Sequence, residues 1–225
     1  MRFCLAFLFS FLISAASNAQ NINMRQVITD VQKQAQQMLL EIPLAKAAVK
    51  DTNLVAPRTI ENGNLKMVDA KDWTSGFFAG ELWYLYDLTN NDFWKQQAKL
   101  FTQKIEGQQY DRSTHDLGFE IYCSVGNAYK DTKKATYKNI IIQAAKTLST
   151  RFSPVTGTIK SWDNKKWGFP VIIDNMMNLE LLFEATKLSG DSSFYKIAVT
   201  HANSTIRNHF RMDYSSYHVV DYDTV

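Results

Sequence analysis

The stretch Leu88-Thr89-Asn90-Asn91-Asp92-Phe93-Trp94-Lys95, followed by Ala98, returns later in the chain as Leu188-Ser189-Gly190-Asp191-Ser192-Ser193-Phe194-Tyr195-Lys196, followed by Ala198. Each copy reads as the end of one helix, a short polar turn and the start of the next, an αα-hairpin. Between them Thr132-Lys133-Lys134-Ala135-Thr136-Tyr137-Lys138, with Ile140, Ile141 and Ala144 behind it, reads as a third copy. Three hairpins about fifty residues apart, with no run of period-two alternation, predict an all-α array in which inner and outer helices alternate. Such an array either runs open as a solenoid or closes into a toroid.

In a toroid the loops that lead into the inner helices gather around one funnel. Those loops are 72–76, 113–119 and 157–174, and the unusual residues of the chain lie in them. A further stretch, Ser215-Ser216-Tyr217-His218-Val219-Val220-Asp221-Tyr222-Asp223, stands where a fourth inner helix would begin. Upstream, Val27, Ile28, Val31, Ala35, Met38 and Leu39 predict a helix over 24–49 that Pro43 interrupts. Residues 50–71 read as a polar loop closing on Gly63.

Residues 1–19 have the form of a secretory leader: Arg2, an apolar run from Phe3 to Ile13, and the small residues Ser17 and Ala19 flanking Asn18. Cleavage after Ala19 predicts an exported protein, periplasmic or extracellular, with no membrane span left and one domain over 20–225. Cys4 lies in the leader, which leaves Cys123 alone and allows no intrachain disulfide. A net charge of +3, with no basic cluster carrying interleaved aromatics, argues against nucleic acid. No Gly-x-Ser-x-Gly elbow, phosphate loop or dinucleotide fingerprint occurs, and the four histidines stand singly. No metal and no cofactor is expected.

Phe169-Pro170-Val171-Ile172-Ile173-Asp174-Asn175-Met176-Met177-Asn178-Leu179 sets one carboxylate and two amides into an apolar run. Asp174 has two readings, the N-cap of a helix beginning at Asn175, or a carboxylic acid whose apolar surroundings favour its protonated form. The second is what a general acid requires. Thr114-His115-Asp116-Leu117-Gly118-Phe119 offers an imidazole and another carboxylate in the equivalent loop one hairpin earlier. Two carboxylates on neighbouring rim loops form a candidate acid/base pair for sugar chemistry. Trp73, Trp162 and Trp167 sit in the same loops, where indole rings can stack on sugars. His218 is a further candidate, whereas His201 and His209, close to Arg207 and Arg211, read as the solvated face of a helix.

Taken in order, Asp72-Trp73-Thr74-Ser75-Gly76-Phe77, His115-Asp116-Leu117-Gly118-Phe119, Ile172-Ile173-Asp174-Asn175-Met176-Met177-Asn178-Leu179 and Ser215-Ser216-Tyr217-His218 resemble the unsaturated glucuronyl hydrolases of glycoside hydrolase family 88. The resemblance begins near residue 70 and implies an (α/α)6 toroid. It also implies hydrolysis of the unsaturated uronic acid that polysaccharide lyases leave on oligosaccharides, by hydration of the C4–C5 enol ether. On this resemblance Asp174 is the general acid and base, Asp116 assists it, and Trp73, His115, Trp162 and His218 line the sugar site. Two alternatives are an unsaturated rhamnogalacturonyl hydrolase and an inactive glycan-binding fragment. Six hairpins of about fifty residues need about 300, so the 225-residue chain is expected to form an incomplete toroid. The inner faces around Leu179, Leu181, Leu182 and Phe183 are then expected to lack packing, with self-association through the exposed edge.

Overall fold

The computed structural model describes residues 22–49, 51–164 and 166–224, and the leader over 1–19 lies outside them. Helix α1 (Met24–Val49) runs on through Pro43. A hairpin of β1 (Ala56–Glu61) and β2 (Asn64–Val68) follows. Then come α2 (Phe77–Thr89) and α3 (Asp92–Gln103), a short 3-10 turn (Glu106–Tyr110), and a π-helical segment (Gly118–Gly126) that continues into α4 (Asn127–Thr132). After α5 (Ala135–Ser149) the chain forms β3 (Phe152–Ser153), β4 (Thr158–Ile159) and β5 (Pro170–Ile172). Helices α6 (Asn175–Ser189) and α7 (Ser192–His209) and strand β6 (Val219–Asp221) complete the described part.

The three sequence copies are the three hairpins α2/α3, α4/α5 and α6/α7. Each first helix ends on a left-handed residue, Asn90 at φ 51°, Lys133 at φ 54° and Gly190 at φ 77°. Its backbone N–H is spent on a carbonyl of the last turn, which closes the helix. Asn91 and Asp191 then cap the following helices, their side chains accepting the N–H of Phe93 at 3.0 Å and Ser193 at 2.9 Å. Trp94, Tyr137 and Phe194 occupy matching places just after the three turns, and all three are buried. The aromatic residue shared by the copies is therefore the plug that seats each outer helix on its inner partner. The remaining core tryptophan, Trp83, donates its indole N–H to Thr102 at 3.0 Å.

The π segment lies between α2 and α6, so the three inner helices stand side by side. Two glycines let them approach. A Cβ on Gly76 would come within 2.2 Å of the Phe119 carbonyl oxygen and 2.3 Å of that of Glu120, and one on Gly118 within 2.6 Å of the Asn178 Cα. Close backbone contact at these crossings draws the loops before α2, the π segment and α6 to one rim.

Several expectations change. Residues 50–71 are not a loop throughout: Asn62 and Gly63, at φ 51° and 78°, make a two-residue turn between paired strands, as an Asn-Gly pair favours. Two further small ladders, β3/β4 and β5/β6, sit at the rim. Leu179, Leu181 and Leu182 are buried and Phe183 is partly buried, because α6 is flanked by the π segment, α5 and α7. Exposed apolar side chains are spread along the chain, from Leu40 and Leu44 on α1 and Met177 on α6 to Ile206 on α7 and Met212 and Tyr214 just beyond it. His201 and His209 are fully buried rather than solvated, because α7 turns that face onto β4 and β6.

Gly76→Ala should lose about 1–3 kcal/mol of stability, since backbone carbonyls must move to admit the methyl. Gly107→Ala, where nothing lies within 4 Å of the added carbon, should stay within about 0.5 kcal/mol of the parent. Urea denaturation of the two variants compares them directly, and equal midpoints would show that the α2 crossing is not tight.

Candidate active site

Asp174 occupies the N-cap position of α6, yet its side chain makes no capping bond. The two amides in the same apolar run do the holding. Asn175 donates from Nδ2 to the Ile159 carbonyl at 2.8 Å, and Asn178 Oδ1 accepts the N–H of Phe119 at 3.0 Å, one of the orphan donors at the start of the π segment. With the helix start pinned by its neighbours, the Asp174 carboxylate is left to face the rim. Its Oδ1 lies 3.6 Å from His115 Nε2.

His115 is buried between the two carboxylates, with Asp116 Oδ1 at 3.3 Å from the same Nε2. Its Nδ1 stands 2.8 Å from the carbonyl oxygen of Ser161. A carbonyl can only accept, so Nδ1 carries the proton. In the neutral ring Nε2 is then a lone pair aimed at two carboxyl groups, and in the cation it is a second N–H between them. Asp116 is held by Thr114, whose Oγ1 donates to Asp116 Oδ2 at 3.0 Å and accepts the Asp116 backbone N–H at 3.0 Å. The Asp116 side chain is 18% exposed and that of Asp174 38%. Burial raises the pKa of Asp116, against the lowering effects of His115 and the Thr114 hydroxyl. The desolvated carboxyl is therefore Asp116, with Asp174 the more open to a ligand.

The other candidates fall around this centre. Arg58 in β1 bonds Asp72 Oδ2 at 2.8 Å, Asp72 Oδ1 accepts the N–H and hydroxyl of Thr74, and the loop so formed presents Trp73. The Trp73 ring is half exposed and lies 5.7 Å from Phe77 and 5.9 Å from Phe119. Trp162 pairs through its backbone with Thr114, and its ring is 6.4 Å from that of His115. His218 precedes β6, and its carbonyl accepts the Ile173 N–H at 2.9 Å, next to Asp174. These contacts join the loops that carry Trp73, His115, Asp116, Trp162, Asp174 and His218. A cleft of about 470 Å³ lined by Phe77, Phe119, Tyr122, Met176 and Met177 runs beside them. A second cavity of about 620 Å³, among Tyr84, Tyr122, Lys130 and Glu184, lies further along the inner helices, and neither cavity is lined by Asp116 or Asp174.

One group escaped the sequence reading. Glu120 is fully buried, and neither of its carboxylate oxygens has a hydrogen-bond partner among the described residues. Burial, and next the charge of Asp116, push its pKa up to about 10. It is a neutral acid at pH 7, one turn beyond Asp116, to whose carbonyl it donates its N–H at 2.9 Å. The signal was the one that marked Asp174, a lone carboxylate in an apolar run. Cys123 is pushed to about 11 by burial and then by Glu180, which keeps its thiol inert.

Fold and rim define the class: an α/α-toroid protein with a histidine-bridged carboxylate pair at its funnel. A relative described as an unsaturated glucuronyl hydrolase from Formosa agariphila is 47% identical over 192 residues, covering 84% of this chain and 47% of that protein. An unsaturated chondroitin disaccharide hydrolase from Streptococcus pneumoniae is 32% identical over 173 residues, 74% of this chain and 43% of the relative. The crystal structure of an unsaturated glucuronyl hydrolase specific for heparin superposes with a TM-score of 0.76 at 42% identity, over 87% of this chain and 52% of that one. No family model matches. The chain is a relative of the unsaturated glucuronyl hydrolases, glycoside hydrolase family 88, and spans about half the length of the curated relatives it matches.

The Glu120 shift has a stability consequence with a definite sign. Its folded pKa stands above the unfolded value, so between the two the folded state keeps a proton that the unfolded state releases. Stability from this group is whole below about pH 4.5 and drains away as pH rises toward 10. Wild-type stability should fall with pH by up to about 1.4 kcal/mol per unit across this window. Glu120→Gln should flatten that slope in urea denaturation at stepped pH. Parallel slopes for the two proteins would show that Glu120 ionises in the fold.

Proposed function

We propose that this rim hydrolyses unsaturated glucuronyl oligosaccharides of the kind polysaccharide lyases release, by acid-catalysed hydration of the C4–C5 enol ether. The observation that carries the reading is His115 Nε2 between two carboxylates, at 3.3 Å and 3.6 Å, with its other nitrogen committed to Ser161. Burial first, and the nearby Asp174 charge as a lesser cause, raise the pKa of Asp116, so two carboxyl groups set this close are kept from both ionising freely.

Asp174, the more open of the pair and free of capping duty, delivers its proton to C4 of the double bond. Positive charge then spreads over C5 and the ring oxygen, where the Asp116 carboxylate, held beside His115, opposes it. Water adds at C5, and its proton passes to the Asp174 carboxylate, which restores the acid. The resulting hemiketal opens and the glycan leaves. Trp73 and Trp162 offer ring faces for the sugar, and His218, whose carbonyl bonds the residue before Asp174, is assigned to bind a hydroxyl or the carboxylate. Export to the periplasm or the exterior, where lyase products form, is part of the same proposal and rests on the leader over 1–19.

In a preparation that turns over an unsaturated glucuronyl disaccharide, Asp174→Asn should lower the rate by about 10²–10⁴, with binding retained. Loss of the ultraviolet absorbance of the double bond is the assay. A variant within tenfold of wild type would remove Asp174 from the role of acid. If Asp116 and Asp174 act as a pair, kcat/KM falls on both sides of an optimum, and a flat profile from mildly acidic to mildly basic pH overturns the pairing. Tight binding of the same disaccharide with no turnover in the wild type would favour a glycan-binding role.

A further inference from the structure

The three residues 159–161 form a hub with every backbone polar group taken. The Ile159 carbonyl accepts from Asn175 at 2.8 Å, and Lys160 exchanges bonds with Arg151, its N–H going to the Arg151 carbonyl at 3.0 Å and its carbonyl accepting Arg151 Nε at 2.8 Å. The Ser161 N–H goes to the Pro170 carbonyl at 2.8 Å, and the Ser161 carbonyl accepts both His115 Nδ1 and the His115 backbone N–H. Ser161 Oγ also takes the Ile172 N–H at 2.9 Å. Both loops that carry the candidate catalytic groups are hung on this short segment.

One contact of the hub comes from an outer helix. The Ile159 N–H donates to Nδ1 of His201 at 2.9 Å, at a site where both residues are fully buried. To accept there, His201 must be neutral with its proton on Nε2. Burial holds it so, lowering its pKa to about 3, with the nearby His209 and His115 as lesser causes. An imidazole inside α7 whose burial favours the neutral form is thus an acceptor 42 residues away in sequence from the strand it holds.

We propose that His201 is a positioning residue: by fixing Ile159 it sets the place of the Ser161 carbonyl, and through that carbonyl the tautomer and orientation of His115 between Asp116 and Asp174. It touches none of the reacting groups. The inference rests on the reading of the rim as a catalytic centre, and its test needs no turnover, so each can fail without the other.

The readout is the His115 ring in long-range proton–nitrogen correlation spectra of the full chain, recorded where the ring is neutral. Wild type should show the proton on Nδ1. His201→Leu removes the acceptor, and the Nδ1–H form of His115 should lose its dominance. His201→Gln, which keeps polarity and volume but moves the acceptor away from the Nδ1 position, should do the same and serves if the leucine variant does not fold. His201→Asn places an oxygen where Nδ1 was and should restore the wild-type spectrum. A purely structural role would lower the melting temperature and leave the His115 tautomer alone. The Nδ1–H form persisting in the leucine and glutamine variants would overturn the proposal, as would a wild-type His115 protonated on Nε2.

Discussion

A single hydrogen bond, His115 Nδ1–H to the carbonyl of Ser161, decides what the rim can do. It joins two loops that are 46 residues apart, and it consumes the one imidazole nitrogen that does not face the carboxylates. Were Nδ1 free, the ring could turn, and Nε2 would have no reason to sit between Asp116 and Asp174. Because the ring is buried, the unmet bond would also carry a desolvation cost of about 1–3 kcal/mol. The chemistry at the surface of the funnel thus depends on a backbone carbonyl beneath it, and that carbonyl in turn on a strand too short to hold itself.

The legible parts of the sequence were those whose causes are local. Helix, left-handed turn, capping residue and aromatic plug occur within about ten residues, so three hairpins could be read from one repeat. Asp174 stood out as a carboxylate set in an apolar run, and Asp116 as the neighbour of His115 in the equivalent loop one hairpin earlier. The same criterion applied to Glu120 would have found it. Asn62-Gly63 was a readable hairpin signal, but the flanking strands show no alternation because most of β1 is exposed.

The misread parts were those decided at a distance. His201 and His209 share a helix with arginines, and their spacing alone suits a solvated face; only β4 and β6, folded back against α7, bury them. Ser161 carried no signal at all, since the atom that matters is a carbonyl that every residue owns. Leu179, Leu181 and Leu182 were expected to want partners, and α5 and α7 supply them.

The three hairpin turns place asparagine, lysine and glycine in one left-handed position. If glycine were needed there, two of the three would be strained enough to lose the turn; instead the contacts between the helices carry it. Each hairpin is then a unit whose partners are close in sequence, the arrangement that folds fastest. The rim belongs to no single hairpin. His115 and Asp116 come with the second, Asp174 with the third, and the loop between the two brings Ser161, so the carboxylates meet only when finished hairpins dock. Docking of the hairpins, rather than the folding of any one of them, is what sets His115 between Asp116 and Asp174.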